Sequence, residues 1–100
     1  MENYGFKELT RIKELISNGG GFEDKEAIKE MNVLCFKLEQ LSMGFIGSGS
    51  VREKTTSIKS FGEILFSARR HQRYGGPDKV KMFILNDCRS LESIIKASVK

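Results

Sequence analysis

The stretch SVREKTTSIKSFGEILFSARR, residues 50–70, decides the fold. Its apolar residues recur at helical spacing, as Ile58, Phe61, Leu65 and Ala68. Such spacing marks one face of an α-helix, because a helix turns once in about 3.6 residues. Ser50 and Glu53 fit a capping box, in which a hydroxyl and a carboxylate satisfy the free amides of the first turn. The stretch therefore predicts a helix that begins at Ser50 and packs through one apolar seam.

Gly62 lies inside this seam. A glycine in a helix interior costs about 1 kcal/mol relative to alanine. The residue either permits a close approach of another helix or is a local weakness of the predicted helix.

Three further segments of helical length flank this stretch. Residues 4–18 and 23–43 precede it, and residues 79–99 follow Gly76 and Pro77, with proline suited to a first helical turn. Glycines separate the segments and predict a glycine-capped end after Asn18. The sequence therefore predicts an all-α fold over residues 1–100. We expect one domain, a small four-helix protein with a central antiparallel helical hairpin over about residues 23–72.

The second segment has the widest apolar face. One stripe runs along it, formed by Ile28, Met31, Leu34, Leu38 and Leu41. Val33, Cys35 and Phe36 widen this stripe. A stripe of this width predicts a helix that packs against more than one neighbour.

Composition limits the class of protein. The chain has 100 residues, of which 39% are hydrophobic and 30% charged, as in globular domains rather than disordered or membrane chains. No apolar run approaches the roughly 18 residues that would span a bilayer. The first residues lack the basic leader and apolar core of a signal peptide. We therefore expect a cytoplasmic protein without membrane contact.

Cysteine and histidine are scarce. Cys35 and Cys88 lie far apart among apolar neighbours, which indicates reduced, buried thiols. His71 is the only histidine, and as a catalytic base it would need a nucleophile and an orienting group that no motif supplies. We interpret it as a surface residue. The scattered carboxylates favour no metal, so we expect no cofactor, no metal and no catalytic residue.

Charge is divided unevenly along the chain. Residues 1–44 contain 6 Lys/Arg and 8 Asp/Glu, whereas residues 45–100 contain 11 and 5. The basic second half favours an anionic partner, such as a nucleotide, a nucleic acid or an acidic protein surface. The alternative is a solvated basic face.

The densest basic cluster is RRHQRY, residues 69–74. Its candidate anion ligands are Arg69, Arg70, His71 and Arg73, and Tyr74 could stack on a base. Cations at the end of the third helix would also be explained by the helix dipole. Arg52 and Lys54, in the first turn of that helix, oppose the dipole; either a bound anion offsets this cost or an exposed site tolerates it. Lys59 completes the basic candidates. Phe45 is either a core residue or an exposed stacking platform.

The middle of the chain, from the second helix to Arg70, resembles a hairpin found in small phage proteins. These helical "sponge" proteins sequester cyclic nucleotide immune signals and thereby counter CBASS and Thoeris defence. The resemblance rests on Arg52-Glu53-Lys54, then Ile58, then Glu63-Ile64-Leu65, with Phe45 as the aromatic before the turn. It covers about 45 residues, and the first and last helices lie outside it.

The resemblance implies specific roles. Phe45 would stack on a base, Arg52 and Lys54 would contact the nucleotide, and Arg70 or His71 would reach a phosphate. It further implies a homo-oligomer with sites between protomers, and the host cytoplasm as the location of a phage-encoded chain.

Four functions are weighed on the sequence. The first is a non-enzymatic protein that sequesters a cyclic nucleotide or a related anionic small molecule. The second is a helical protein–protein inhibitor or adaptor, from a phage or plasmid, that binds a host protein. The third is a nucleic-acid-binding regulator that uses the arginines at 69, 70 and 73 together with Lys79 and Lys81, although no helix-turn-helix pattern accompanies them. The fourth is an enzyme, and only His71 and isolated carboxylates support this function.

Overall fold

The apolar periodicity of the sequence is realised as four α-helices and one short 3-10 helix. The computed structural model describes residues 5–19, 22–43 and 48–98. The helices are α1 (Phe6–Asn18), α2 (Lys25–Leu41), α3 (Ser48–Leu65) and α4 (Pro77–Ser98), and the 3-10 helix Arg70–Tyr74 lies between α3 and α4. No strand occurs in these ranges. The prediction of an all-α, four-helix fold is confirmed.

The helices close into a ring around one apolar core. Both α1 and α3 pack against α2 and α4. Each helix contributes fully buried side chains, among them Leu9, Ile12, Met31, Leu38, Ile58, Leu65, Ile84 and Leu91. Burial of this surface stabilises the fold by about 25 cal/mol per Å² of apolar area. None of the described helices is long and apolar enough to cross a membrane.

The predicted apolar stripe of α2 is broader than the face that α2 buries. Met31, Leu34, Cys35 and Leu38 are buried between the neighbouring helices. Val33, Phe36 and Leu41, by contrast, are exposed. The helix does contact two neighbours, but these three side chains point past both of them.

The capping box predicted at Ser50 is wrong, because α3 begins two residues earlier. Ser50 is the third residue of the helix. Arg52 and Lys54 consequently lie in its second turn, where the dipole acts only weakly. The argument that an anion offsets a dipole cost at these two residues therefore does not hold.

The third helix also ends earlier than its seam suggested. It stops at Leu65, and Ala68 is exposed beyond it. The Ser67 hydroxyl donates to the Ile64 carbonyl (2.8 Å) and accepts from the Arg70 amide (3.2 Å). Such local bonds compete with the helical ladder and favour a turn. No cation lies in the last turn of α3, so the helix dipole does not explain the basic cluster.

At two positions a neighbouring side chain approaches so closely that little space remains for any residue larger than glycine. An added Cβ at Gly62 would lie 3.1 Å from Met31 Cε on α2, which supports the interpretation that glycine permits a close helix approach. At Gly19 an added Cβ would lie 3.0 Å from Phe66 Cε1. Gly19 has an extended backbone, with φ −145°, so this glycine does not itself form a left-handed cap, and Gly20 lies outside the described residues.

The two cysteines are buried and free, as predicted. Burial raises the pKa of each thiol to about 12. Because the thiolate is the reactive form, we expect neither cysteine of the folded protein to be alkylated by iodoacetamide at pH 8. Both are expected to react once the chain is unfolded in denaturant. Mass spectrometry counts the adducts, and rapid labelling of the folded protein would contradict the burial of these thiols.

Candidate functional site

The 3-10 helix presents two rows of side chains with different surroundings. Residues three apart eclipse one another in a 3-10 helix, so Arg70 and Arg73 form one row and His71 and Tyr74 the other. Both arginines are exposed, whereas His71 is buried and Tyr74 is 44% exposed. The helix therefore anchors through one row and offers two guanidinium groups to solvent through the other.

Three aromatic rings meet at the end of the 3-10 helix, where Tyr74 follows Arg73 in the sequence. Phe61 of α3 lies edge-on to Tyr74, with ring centroids 5.8 Å apart and an interplanar angle of 87°. It also contacts Phe83 of α4, with centroids 5.1 Å apart. Tyr74 and Phe83 remain exposed at the surface, while Phe61 is partly buried beneath them. We refer to Phe61, Arg70, Arg73, Tyr74 and Phe83 as the arginine–aromatic patch.

The chain leaves this patch through two glycines in the left-handed region. Gly75 and Gly76 have φ of 94° and 100°, values that residues with a Cβ rarely adopt. The Gly76 amide donates to the His71 carbonyl (3.0 Å), and α4 starts at the next residue. This tight turn holds the 3-10 helix against the start of α4, so that Tyr74 and Phe83 share one surface.

The surroundings of the patch are positively charged. Residues 66–83 contain five Lys/Arg, namely Arg69, Arg70, Arg73, Lys79 and Lys81, against the single acid Asp78. No arginine of this group makes an ion pair within the described part of the chain. A guanidinium can grip two phosphate oxygens at once, and an exposed ring can stack on a base. The patch thus combines the two contacts that a nucleotide requires.

His71 differs from its interpretation as a surface residue. Its side chain is buried, and neither ring nitrogen has a hydrogen-bond partner among the described residues. The ring therefore has no nucleophile or orienting group bonded to it in that part of the chain. The sequence could not reveal this, because burial of a single histidine leaves no periodic signal.

Lys54 and Lys59 are engaged in contacts between helices. Lys59 Nζ lies 3.6 Å from Glu39 Oε1 of α2, and Lys54 Nζ lies 4.0 Å from Asp87 Oδ1 of α4. Each carboxylate also accepts a hydrogen bond from a hydroxyl group of α3. Thr55 donates to Glu39 (2.9 Å), and Ser57 donates to Asp87 (2.6 Å). These two lysines therefore contribute to helix packing, a role that the sequence did not suggest.

The predicted site residues do not gather at one place in a single chain. Arg52 is exposed near the start of α3, about 20 Å along the helix from its end at a rise of about 1.5 Å per residue. Arg69, Arg70 and Arg73 lie beyond that end. Phe45 lies outside the described residues. Of the predicted candidates in the described residues, Arg70 and Arg73 lie on the 3-10 helix that also carries the exposed ring of Tyr74.

Phe61 and Phe83 are members of the patch that sequence analysis missed. The sequence places Phe61 in the apolar seam of the third helix and Phe83 in the last segment of helical length, and the two rings contact each other. Their exposure beside Tyr74 depends on how α3, the 3-10 helix and α4 meet, which no spacing in the sequence encodes.

The described residues contain no group of three or more His, Cys, Asp or Glu side chains placed to hold a metal ion. The site thus consists of cations and aromatic rings.

The chain was compared with known protein families, proteins and structures. No protein-family model, curated protein or solved structure matches the chain.

Proposed function

We propose that the arginine–aromatic patch binds an anionic ligand with a planar ring, of the nucleotide type, and holds it without chemical conversion. The observation that carries the proposal is the contact of exposed Tyr74 and Phe83 with Phe61 next to two arginines that have no ion-pair partner in the described chain. Stacking on an aromatic ring contributes about 1–3 kcal/mol per base. Hydrogen bonds from charged groups to phosphate are stronger than neutral ones.

Sequestration of a cyclic nucleotide immune signal is the form of this function that we favour. Its support is the resemblance of the central hairpin to phage sponge proteins, together with the basic second half of the chain. In this proposal the chain is phage-encoded, acts in the host cytoplasm and forms a homo-oligomer. Arg52 of one protomer would then supplement the patch of another, since the two lie at opposite ends of α3.

Native mass spectrometry tests both binding and conversion. The protein would be incubated with a panel of cyclic dinucleotides, cyclic trinucleotides and cyclic ADP-ribose isomers. We expect one panel member to be retained in fixed stoichiometry and with unchanged mass. Recovery of a ligand with altered mass would replace the sponge proposal by an enzyme, and retention of no nucleotide would refute it.

Removal of the two guanidinium groups tests the location of the site. We expect the double variant Arg70→Ala/Arg73→Ala to bind the retained nucleotide at least tenfold more weakly, because both phosphate contacts are lost. The matched control is Arg89→Ala/Lys96→Ala, which removes the same charge from exposed positions of α4 and should change affinity less than twofold. Equal losses in both variants would indicate a general charge effect rather than a site.

Nucleic-acid binding is distinguished by its salt dependence. A protein that contacts several backbone phosphates loses affinity steeply between low and physiological salt. A mobility shift of RNA or DNA that is abolished by Arg70→Ala/Arg73→Ala would assign the patch to a polymer instead of a small ligand.

A further inference from the structure

The outer face of α2 is apolar and covered by no other helix of the described chain. Val33, Phe36 and Met43 are 52%, 58% and 74% exposed. A spacing of three residues places Val33 and Phe36 on one side of the helix, and Met43 follows two residues after its end. Isolated exposed apolar residues are ordinary, whereas a row of large ones marks an interaction surface.

A depression lies beside this row. It has a volume of about 450 Å³ and is lined by Glu8 of α1 and by Val33, Phe36, Lys37, Gln40 and Leu41 of α2. Its apolar lining residues, Val33, Phe36 and Leu41, all belong to α2. A space of this size accepts one or two large apolar side chains, as in complexes where an amphipathic helix lies in a groove.

The charges around the row are mainly positive and unpaired. Lys29, Val33, Lys37 and Leu41 follow one another at intervals of four and so form one line along α2. Both lysines are exposed, and neither makes an ion pair within the described residues.

Several acidic residues lie near the row. Glu8, which lines the depression, is only 8% exposed, whereas Glu26 is exposed in the first turn of α2. Glu30 accepts hydrogen bonds from the Arg11 guanidinium, which holds the pKa of its carboxyl below the usual range. Glu39 is bound to α3 through Thr55 and Lys59. An exposed carboxylate, Glu63, remains on the α3 side of Phe36. The side of the row that contains the depression therefore presents Lys29 and Lys37 to a partner, with Glu26 about one turn before Lys29.

We propose that this face, comprising Val33, Phe36, Leu41, Lys29 and Lys37, binds an amphipathic helix of another protein with an apolar stripe and acidic flanks. Apolar side chains of the partner occupy the depression, and its carboxylates pair with the two lysines. A second copy of this chain fits less well, because it would bring lysines against lysines across the same face. The surface shares no residue with the arginine–aromatic patch, so this interaction is independent of nucleotide binding.

Two synthetic peptides test the proposal. Both are helical 18-residue peptides with leucines along one face. One carries glutamate on both flanks, and the other carries lysine at the same positions. Fluorescence anisotropy measures their affinity for the full chain, and amide chemical shifts locate the binding face. We expect the glutamate peptide to bind at least tenfold more tightly and to shift the amides of α2.

Surface variants supply the controls. We expect Phe36→Ala to weaken binding of the glutamate peptide at least fivefold, and Lys29→Glu/Lys37→Glu to reverse the preference between the peptides. Met82→Ala, which truncates an exposed apolar residue of α4, should leave both affinities unchanged. Equal affinity for the two peptides, or binding to neither, would overturn the proposal. A concentration-dependent dimer that Phe36→Ala abolishes in sedimentation would assign the face to a second copy instead.

Discussion

Replacement of Phe66 by alanine is expected to lower the free energy of unfolding by about 3–5 kcal/mol. Phe66 is the largest of the fully buried side chains. It follows the last residue of α3 and approaches Gly19 at the end of α1. Its carbonyl accepts the amide of Asp24 (3.0 Å), the residue whose carboxylate caps α2 by accepting the Ala27 amide (3.1 Å). Truncation of the ring would thus leave a cavity where three helices meet.

Urea denaturation followed by circular dichroism measures this effect. Small domains are stable by about 5–15 kcal/mol, so the variant is expected to lose a large part of its stability and to unfold at a clearly lower temperature. Phe22→Ala is the matched control, since Phe22 is 51% exposed on the same side of the molecule and should cost less than about 1 kcal/mol. Similar losses for the two variants would contradict the packing of Phe66 described above.

Replacement of His71 by leucine is expected to leave the fold intact and to raise the free energy of unfolding by about 1–3 kcal/mol. The imidazole is buried, and no described residue hydrogen-bonds to either nitrogen. Burial of a polar group without a hydrogen bond costs about 1–3 kcal/mol in proteins. Leucine has a similar size and carries no polar atom. The side chain would therefore keep the inner row of the 3-10 helix packed and remove the desolvation cost.

The comparison variant is His71→Gln, which keeps a polar group at the same position. Chemical denaturation should place it below the leucine variant by at least about 1 kcal/mol. If His71→Leu instead destabilises the protein, the imidazole makes a polar contact that contributes to stability. Nucleotide binding by the leucine variant should equal that of the unaltered protein, because the ring does not reach the exposed row of arginines.

The number and order of the helices could be predicted from the sequence because apolar periodicity and glycine clusters are local signals. The start of α4 at Pro77 agrees with the expected place of proline in a first turn. The limits of α3 could not be predicted equally well. The sequence around Ser50 fits both a serine that caps a helix and a serine inside one. The end of α3 depends on the hydroxyl of Ser67, whose preference for a turn competes with an apolar seam that continues to Ala68.

The candidate site could be predicted only in part. The run of arginines and the neighbouring Tyr74 can be identified from the sequence alone. The aromatic neighbours come from α3 and α4, so their meeting requires the tertiary fold. The exposed side of α2 escaped detection for a related reason. An apolar stripe indicates that one face of a helix packs against other elements. The width of the stripe does not reveal how much of that face the other three helices cover.

Two carboxylates, one on each helix that flanks α3, affect how far the helices can slide along one another. Glu39 of α2 and Asp87 of α4 each receive one hydroxyl and one ammonium group from α3. The two hydroxyl groups donate directional hydrogen bonds, whereas the ammonium groups lie 3.6 and 4.0 Å from the carboxylates and act through their charge. A displacement of α3 by one turn, about 5.4 Å, would break both hydrogen bonds and move the hydroxyl groups away from the two carboxylates. The polar groups thus select a single register for the three helices, a form of specificity that apolar packing alone does not provide.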